Sequence, residues 1–138
     1  MKEITIDASG LVSGRLAAYC AKNALRGYTI NIYNIEKAVI SGNALQIVRV
    51  YTKRREMTNH ANPEKAMKWP RRPDYLFRKV ISGMLPAGKR GKQALRNIKS
   101  YIGEGPKKGT RPVKDSKALQ GSFITLGQLS QSLGWSAQ

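Results

Sequence analysis

The first thirty-five residues alternate between short strand-like stretches and one amphipathic stretch. Residues 4–7 and 28–35 are rich in the isoleucine, threonine and tyrosine that strands favour, and residues 14–25 between them carry apolar side chains at helical spacing. Two strands joined by one helix over so few residues form a crossover unit, in which the strands are parallel. The sequence therefore predicts an α/β fold that is built on a parallel strand pair.

Turn signals and periodicity place the other elements. Ser13 is a candidate N-cap of the first helix, and Gly27 is its candidate C-terminal stop. Further helices are predicted over residues 44–53, after Pro73, around residues 92–99 and at the C-terminal end, with short strands over 100–102 and 123–125. The helical side chains expected to be buried are Leu16, Ala17, Cys20, Ala21, Ala24, Ala44, Ile47, Val48, Tyr51, Phe77, Val80, Ile81, Met84, Leu95, Ile98, Leu126, Leu129 and Leu133.

Length and composition limit the kind of protein. A chain of 138 residues, 41% of them hydrophobic, buries one core and not two, so we expect a single domain. The one cysteine, Cys20, excludes a disulfide framework and is typical of a reducing compartment. Because no apolar run has the length of a membrane span and the N-terminus lacks a signal-peptide core, we expect a soluble, cytoplasmic protein that binds no membrane.

Positive charge is concentrated in the middle of the chain. The sequence has 25 Lys and Arg against 8 Asp and Glu, a net charge of +17. Residues 49–117 hold twenty of the cations and five of the anions, whereas residues 118–138 have no charged side chain. A body this small repels itself at that charge unless a polyanion neutralises it, and nucleic acid does so densely. Charge that served only solubility would be spread more evenly, so the distribution predicts a nucleic-acid-binding surface.

Residues 52–73 break both periodic patterns. Two X-Pro pairs interrupt helices there, and basic residues cluster at both ends of the segment. A loop of this length in a compact domain is usually functional or ordered by a partner, so we predict that it lies against RNA. Trp69, which stands among cations, is predicted to stack on an unpaired base, whereas Tyr51, Phe77 and Trp135 are expected to pack in the protein.

Three features resemble parts of a nucleotide-dependent enzyme. Residues 10–14, Gly-Leu-Val-Ser-Gly, stand between a strand and a helix, where a phosphate can bind. Glu36 follows Gly14 by 22 positions, about where a dinucleotide fold places its ribose-binding acid. Tyr75 and Lys79 have the spacing of an acid/base pair. The full glycine fingerprint is absent, however, because Val12 and Leu16 stand where such enzymes need glycine. Tyr75 and Lys79 share a polar helix face with Arg78, and a solvated or RNA-facing stripe is the commoner meaning of that pattern.

No other arrangement of side chains predicts chemistry. Cys20 and His60 stand forty positions apart, which fits no usual zinc spacing. The eight carboxylates include no pair at metal-ligand or acid/base spacing. We therefore expect no catalytic residue, no metal, no cofactor and no small-molecule substrate.

Four stretches, in order and at matching spacing, resemble the ribosomal protein L thirteen family of the large subunit. The last stretch is similar to the ending of archaeal and eukaryotic members. Ser82 departs from the family, which commonly has Arg or Lys there, and residues 57–69 are unlike it. The matching stretches are Ile6-Asp7-Ala8-x-Gly10-Leu11-Val12-x-Gly14-Arg15-Leu16-Ala17, Asn34-x-Glu36-Lys37-Ala38-Val39-Ile40-Ser41-Gly42-Asn43, Gly83-Met84-Leu85-Pro86 with Lys89-Arg90-Gly91 and Lys99-x-Tyr101-x-Gly103, and Leu126-Gly127-x-Leu129-Ser130-x-x-x-Gly134-Trp135.

The resemblance implies a single three-layer α/β domain over residues 1–138, with a small, largely parallel sheet between helices and long basic loops. It also implies a structural component of the large ribosomal subunit that binds large-subunit ribosomal RNA, supports subunit assembly and catalyses nothing. Neighbouring large-subunit ribosomal proteins are the other implied partners. The cations that the resemblance assigns to RNA contacts are Arg15, Arg78, Lys79, Lys89, Arg90 and Lys92.

The basic middle of the chain supplies the other predicted RNA contacts. Most are expected to reach phosphate and sugar, so that shape is recognised more than sequence. Two alternatives stay open: a module that binds another RNA or DNA outside the ribosome, and the nucleotide-dependent enzyme. The further predicted contacts are Lys53, Arg54, Arg55, Lys68, Trp69, Arg71, Arg72, Arg96, Lys107, Lys108 and Arg111.

Overall fold

A computed structural model describes residues 2–105, 109–112, 119 and 121–136 of the chain. Short 3₁₀ turns lie at Ile35–Lys37 and Pro63–Lys65. The strands are β1 (Glu3–Asp7), β2 (Thr29–Tyr33), β3 (Val39–Ser41), β4 (Ile98–Ser100) and β5 (Phe123–Thr125). The helices are α1 (Ser13–Leu25), α2 (Ala44–Glu56), α3 (Pro73–Met84), α4 (Lys89–Arg96) and α5 (Leu126–Ser132).

Three strands form a parallel sheet in the order β1-β2-β4. Ile30 of β2 is paired with Ile4 on one side and with Ile98 on the other, so the apolar positions of all three strands share one face. The α/β class and the parallel pair predicted from the first thirty-five residues are confirmed. A second, antiparallel pair joins β3 to β5. The sequence did not predict β3, because three residues are too few to show an alternating pattern.

The two faces of the parallel sheet differ. Ile6, Ile32 and Ile98 are fully buried on the face that meets α1, α3 and α4, and these three helices contact one another. The other face carries polar side chains, among them Asn31, whose amide donates a hydrogen bond to Glu3. Asn31 is only half-buried there. Among the described residues, the helices that pack on the parallel sheet therefore do so on its apolar face.

The first helix matches its predicted stripe. The predicted stripe of Leu16, Ala17, Cys20, Ala21 and Ala24 is buried, and the chain leaves the helix through Gly27 at a φ of +93°, as predicted. Ser13 is not the N-cap, because it is already the first helical residue and Val12 precedes it without a side-chain capping bond. A bridge to Val39 holds Val12 extended, so the helix begins one residue earlier than predicted.

The second helix is longer and more exposed than predicted. It continues to Glu56, so residues 53–55 form its last turn and do not belong to the loop. Basic side chains in a last turn are favoured by the helix dipole. Its predicted buried face is half-buried at Ile47, Val48 and Tyr51, while Ala44 is exposed, contrary to the prediction.

The region of α3 and α4 differs from the predictions at two points. Phe77 and Ile81 are buried as expected, but Met84, at the end of α3, is 45% exposed. The helix that was expected to continue to Lys99 ends at Arg96, and β4 begins at Ile98, two residues before the predicted strand. Ile98 is buried in either case, so the apolar pattern alone did not distinguish a helical position from a strand position.

The C-terminal helix is confirmed. Leu126 and Leu129 are buried, and Gly134 ends the helix at a φ of +106°. A capping box begins it, because the Thr125 hydroxyl accepts from the backbone of Gln128 and the Gln128 side chain accepts from the backbone of Thr125.

Candidate nucleic-acid interface

Basic and aromatic side chains meet where the end of α2, the segment after it and α3 come together. We call Tyr51, Arg54, Arg55, Trp69 and Lys79 the Trp69 cluster. The rings of Tyr51 and Trp69 meet edge to face, with centroids 6.0 Å apart. The guanidinium carbon of Arg54 lies 5.1 Å from the Tyr51 centroid and 5.0 Å from the Trp69 centroid. The Lys79 ammonium lies 5.6 Å from the Trp69 centroid, so two cations approach one indole ring.

Helical spacing explains one side of the Trp69 cluster. Tyr51, Arg54 and Arg55 stand at positions i, i+3 and i+4 of α2, which share one face of a helix. The Nη1 atom of Arg55 donates to the backbone oxygen of Trp69 at 2.6 Å and fastens residue 69 to that face. Cation–π contacts contribute about 0.5–1 kcal/mol each at exposed sites and more when desolvated. The α2 helix thus fixes Trp69 although Trp69 lies outside any helix or strand.

The Trp69 cluster has a strong positive field. Among the described residues, Arg54, Arg55 and Lys79 have no carboxylate at ion-pair distance. Three neighbouring cations repel one another, and an anion placed beside them relieves that repulsion. Arginine forks suit phosphate oxygens, because two parallel hydrogen bonds can form at once.

Two more predicted contacts stand at the start of α3. Arg72 pairs with Asp74 at 3.1 Å, and its guanidinium carbon lies 5.1 Å from the Tyr75 ring centroid. Arg71 lies beside Gly134, in the turn after α5. Both arginines are exposed. Their contacts orient them without covering them, so both remain open to a polyanion.

The α4 helix presents a third group of cations. Lys89, Arg90, Lys92 and Arg96 are exposed, and the first turn of α4 contains no acidic residue. Cations at a helix N-terminus oppose the helix dipole. A phosphate beside that first turn would interact favourably with both the side chains and the backbone N–H groups.

The remaining predicted contacts lie on separate elements. Arg15 is exposed in the first turn of α1, and Arg78 is half-buried on α3. Lys53 is exposed in the last turn of α2, and Lys68 is exposed next to Trp69. Lys107 and Lys108 lie outside the described residues. The structure thus joins Arg54, Arg55, Trp69 and Lys79 in one cluster. It distributes the other described cations of the predicted set over the four helices α1 to α4, the segment before α3 and the residues next to β1.

Arg111 lies next to β1, at the end of the parallel strands. Its Nη2 atom donates to the backbone oxygen of Ser9 at 2.6 Å. Burial raises the pKa of the nearby Asp7, but hydrogen bonds from Asn34 and Ser9 and the charge of Arg111 more than offset this, so that the pKa lies below its ordinary value. The carboxylate of Asp7 is therefore ionised at neutral pH and attracts Arg111. This cation is placed partly by the protein itself.

Tyr51 is the member of the Trp69 cluster that the sequence did not link to the basic residues. It was expected to pack in the protein, and it does lie half-buried against the core. Its ring also receives Arg54, three residues further along the same helix. A helix extended to residue 56 would have revealed this spacing, but the basic run was assigned to the loop.

The enzyme-like features all have structural roles. The backbone N–H of Gly10 donates to Lys37 at 3.0 Å, and Leu11 is fully buried, so this turn does not present its backbone to a phosphate. Both carboxylate oxygens of Glu36 accept from the backbone N–H of Gly103, at 3.1 and 3.2 Å. Tyr75 contacts Arg72 while Lys79 contacts Trp69, so they do not act as a pair.

The described residues contain no cluster of metal ligands and no reactive thiolate. In that part of the chain no three His, Cys, Asp or Glu side chains gather as metal ligands would. Burial raises the pKa of Cys20 to about 12, so its thiolate is scarce at neutral pH.

Among the described residues, no helix is both long enough and apolar enough to cross a membrane.

Comparison with known proteins identifies similar chains. Residues 1–107 match the family of ribosomal protein L13. The large ribosomal subunit protein uL13 of Methanocaldococcus jannaschii is 45% identical over 132 residues, which cover 94% of this chain and 96% of that protein. The uL13 proteins of Methanococcus maripaludis and Aeropyrum pernix are 40% and 36% identical, and each alignment covers at least 95% of this chain and 91% of the relative. All three relatives are archaeal, in agreement with the type that the ending motif resembles.

Proposed function

Because the chain belongs to the ribosomal protein L13 family of structural, non-catalytic ribosomal proteins, we propose that it binds large-subunit ribosomal RNA through basic loops and helix faces. Its relatives are named as large ribosomal subunit proteins, and the cytoplasmic ribosome is accordingly its place of action. Residues 1–138 act as one RNA-binding domain that supports assembly of the subunit. Neighbouring large-subunit proteins are its other partners.

This proposal is supported above all by the exposure of the α4 cations and by the lack of acidic partners, among the described residues, in the Trp69 cluster. Within the described chain, the cations of α4 are exposed, and those of the Trp69 cluster contact Trp69 without an acidic partner at ion-pair distance. A protein that neutralised its own charge would pair these groups with carboxylates. Phosphates supply that neutralisation, because each contact releases a condensed counterion.

The residues divide by the part that each plays. Arg54, Arg55 and Lys79 bind phosphates from positions fixed by Trp69, which preorganises them for a rigid RNA backbone. The exposed cations bind phosphates as mobile charges. Contacts of this kind position the protein on folded RNA and recognise shape. These exposed cations are Arg15, Lys53, Lys68, Arg71, Arg72, Lys89, Arg90, Lys92 and Arg96. The other proposed phosphate contacts are the half-buried Arg78, Arg111 at the end of β1, and Lys107 and Lys108, which lie outside the described residues.

Sedimentation of a cell lysate tests the proposal. We expect the protein to migrate with large subunits and to remain there after a high-salt wash, because many phosphate contacts within a folded scaffold act together. Release into the soluble fraction, with RNA other than ribosomal RNA bound, would favour a module that acts outside the ribosome. A purified protein that retains nucleotide cofactor absorbance and binds no RNA would revive the enzyme hypothesis.

A further inference from the structure

Two adjoining clefts open beside Trp69, in the segment that follows α2. Their volumes are about 300 and 370 Å³. Both are walled by the same five residues, so they form two parts of one groove, which we call the Trp69 groove. The shared walls are Met57, Thr58, Ala66, Met67 and Trp69.

The walls of the Trp69 groove are apolar and open to solvent. Met57 is 70% exposed and Met67 is 62% exposed, although both are large hydrophobic side chains. Contiguous exposed apolar groups beside an aromatic ring mark a surface that is covered by a partner. Methionine suits such a surface, because its flexible thioether adapts to a flat ring and contacts it favourably.

Four cations line the rim of the groove and favour a negatively charged ligand. Arg54 and Lys65 line one cleft, and Arg55 and Lys68 line the other. In the described part of the chain, none of these four cations has a carboxylate at ion-pair distance. The ligand that fits is therefore flat and apolar at its centre and negatively charged at its edge.

An unpaired nucleotide has that chemistry. Its base stacks on aromatic rings or guanidinium planes, and its phosphates meet the surrounding cations. The clefts lie near the lower end of the range of about 300–1,000 Å³ that small-ligand sites occupy, which suits one nucleotide. A base within a duplex is covered on both sides by its neighbours and cannot enter.

We propose that the Trp69 groove takes up one unpaired nucleotide of RNA. The base lies among Met57, Met67 and Trp69, and the adjoining phosphates lie at Lys65 and Lys68. Contacts to Tyr51 and Arg54 hold the indole ring in place before RNA arrives. This assignment rests on the RNA binding proposed above and specifies what part of the RNA the segment after α2 recognises.

Tryptophan fluorescence tests the groove directly. The chain has two tryptophans, so Trp135→Phe leaves Trp69 as the only one. Single-stranded adenylate hexamers should quench the emission of Trp69 by stacking against the ring. A blunt RNA duplex of the same length and inorganic phosphate should leave it unchanged, because neither offers an unstacked base.

A pair of matched variants in the Trp135→Phe background separates the groove from overall charge. Met67→Glu places a carboxylate in the groove, and Leu45→Glu makes the same charge change at a 69% exposed position of α2 outside it. We expect Met67→Glu to weaken hexamer binding about fivefold or more, the lower range for loss of one stacked base, and Leu45→Glu to have much less effect. Both positions are exposed, and circular dichroism verifies that both variants fold.

The outcomes distinguish this proposal from the one on which it rests. If single strands leave Trp69 emission unchanged while the protein still binds ribosomal RNA, the groove assignment is overturned and RNA binding stands. Equal quenching by the duplex, or quenching only by a neighbouring ribosomal protein, also overturns it. Failure to bind ribosomal RNA at any salt concentration contradicts both proposals.

Discussion

Gly91 determines how closely α4 approaches the turn before it. Gly91 is buried, and a β-carbon there would overlap the backbone oxygen of Pro86. Gly91 belongs to the family motif Lys89-Arg90-Gly91, and the backbone of Pro86 leaves no room there for a side chain. Lys89 and Arg90 precede this position, so the close contact also fixes the direction in which these cations emerge.

Replacing Gly91 by alanine should destabilise the protein. The added methyl group must displace backbone, and overpacking of this kind costs about 1–3 kcal/mol. Urea unfolding followed by circular dichroism measures the change. Gly83→Ala is the matched control, because no atom lies within 4 Å of its added carbon. Alanine within a helix should stabilise there by roughly 0.5–1 kcal/mol. Equal effects of the two substitutions would contradict the packing described for Gly91.

Cys20 should react slowly in the native protein. Burial raises its pKa to about 12, whereas an exposed thiol has a pKa of about 8.5. At pH 8 iodoacetamide should therefore label the folded protein far more slowly than the protein in urea, and the labelling rate should follow unfolding. Mass spectrometry measures the labelled fraction. Rapid labelling without urea would show that α1 does not bury this side chain.

At the scale of elements, the segment of residues 57–72 is held at Trp69 by the helices on either side of it. Arg55 of α2 donates to the backbone of Trp69, and Lys79 of α3 approaches the ring of the same residue. Arg71 and Arg72, which follow, remain exposed. Cations held at Trp69 by the two helices therefore lie near exposed ones, and the two kinds should respond differently to substitution.

Replacing Arg71 and Arg72 together by alanine should weaken RNA binding while the fold is retained. The Arg72 side chain is 52% exposed in its ion pair with Asp74, and pairs with a solvent-exposed partner contribute about 0–1 kcal/mol. Each lost phosphate contact should also reduce the salt slope of binding by about 1. Filter binding to ribosomal RNA and thermal unfolding measure the two effects.

Lys22→Ala with Arg26→Ala is the control for this double substitution, because it removes the same charge from the exposed face of α1. If the Arg71 and Arg72 variant unfolds, these side chains belong to the packing of α3 and α5. If both double variants weaken binding equally, net charge alone governs affinity.

At the scale of the whole molecule, the net charge of +17 should make the proposed RNA binding depend steeply on salt. Exposed cations occur on α1, α2 and α4 and at residues 68, 71 and 72, so several phosphates can be neutralised at once. Six or more contacts imply a slope of roughly −4 or steeper for the logarithm of the binding constant against that of the salt concentration. A titration of ribosomal RNA at several salt concentrations measures the slope. A value near −1 would contradict binding through many phosphates.

The sequence by itself determined the parallel strand pair, the apolar stripe of α1, the glycines at which α1 and α5 end, and the concentration of charge in residues 49–117. These features are local, because strand alternation, helical spacing and glycine stops depend on neighbours along the chain. The resemblance of four motifs was equally available from the sequence, and it correctly predicted the family. Local patterns did not show whether Ile98 belongs to a helix or to a strand, because its side chain would be buried in either element.

Only the tertiary structure decided which distant residues meet. Tyr51 and Arg54 of α2 and Lys79 of α3 all reach Trp69, and no spacing along the chain reveals these contacts. The exposure of Ala44 and Met84 was decided in the same way, since an apolar side chain is buried only where another element covers it. Long-range packing therefore determined the shape of the candidate interface, while the sequence determined its charge.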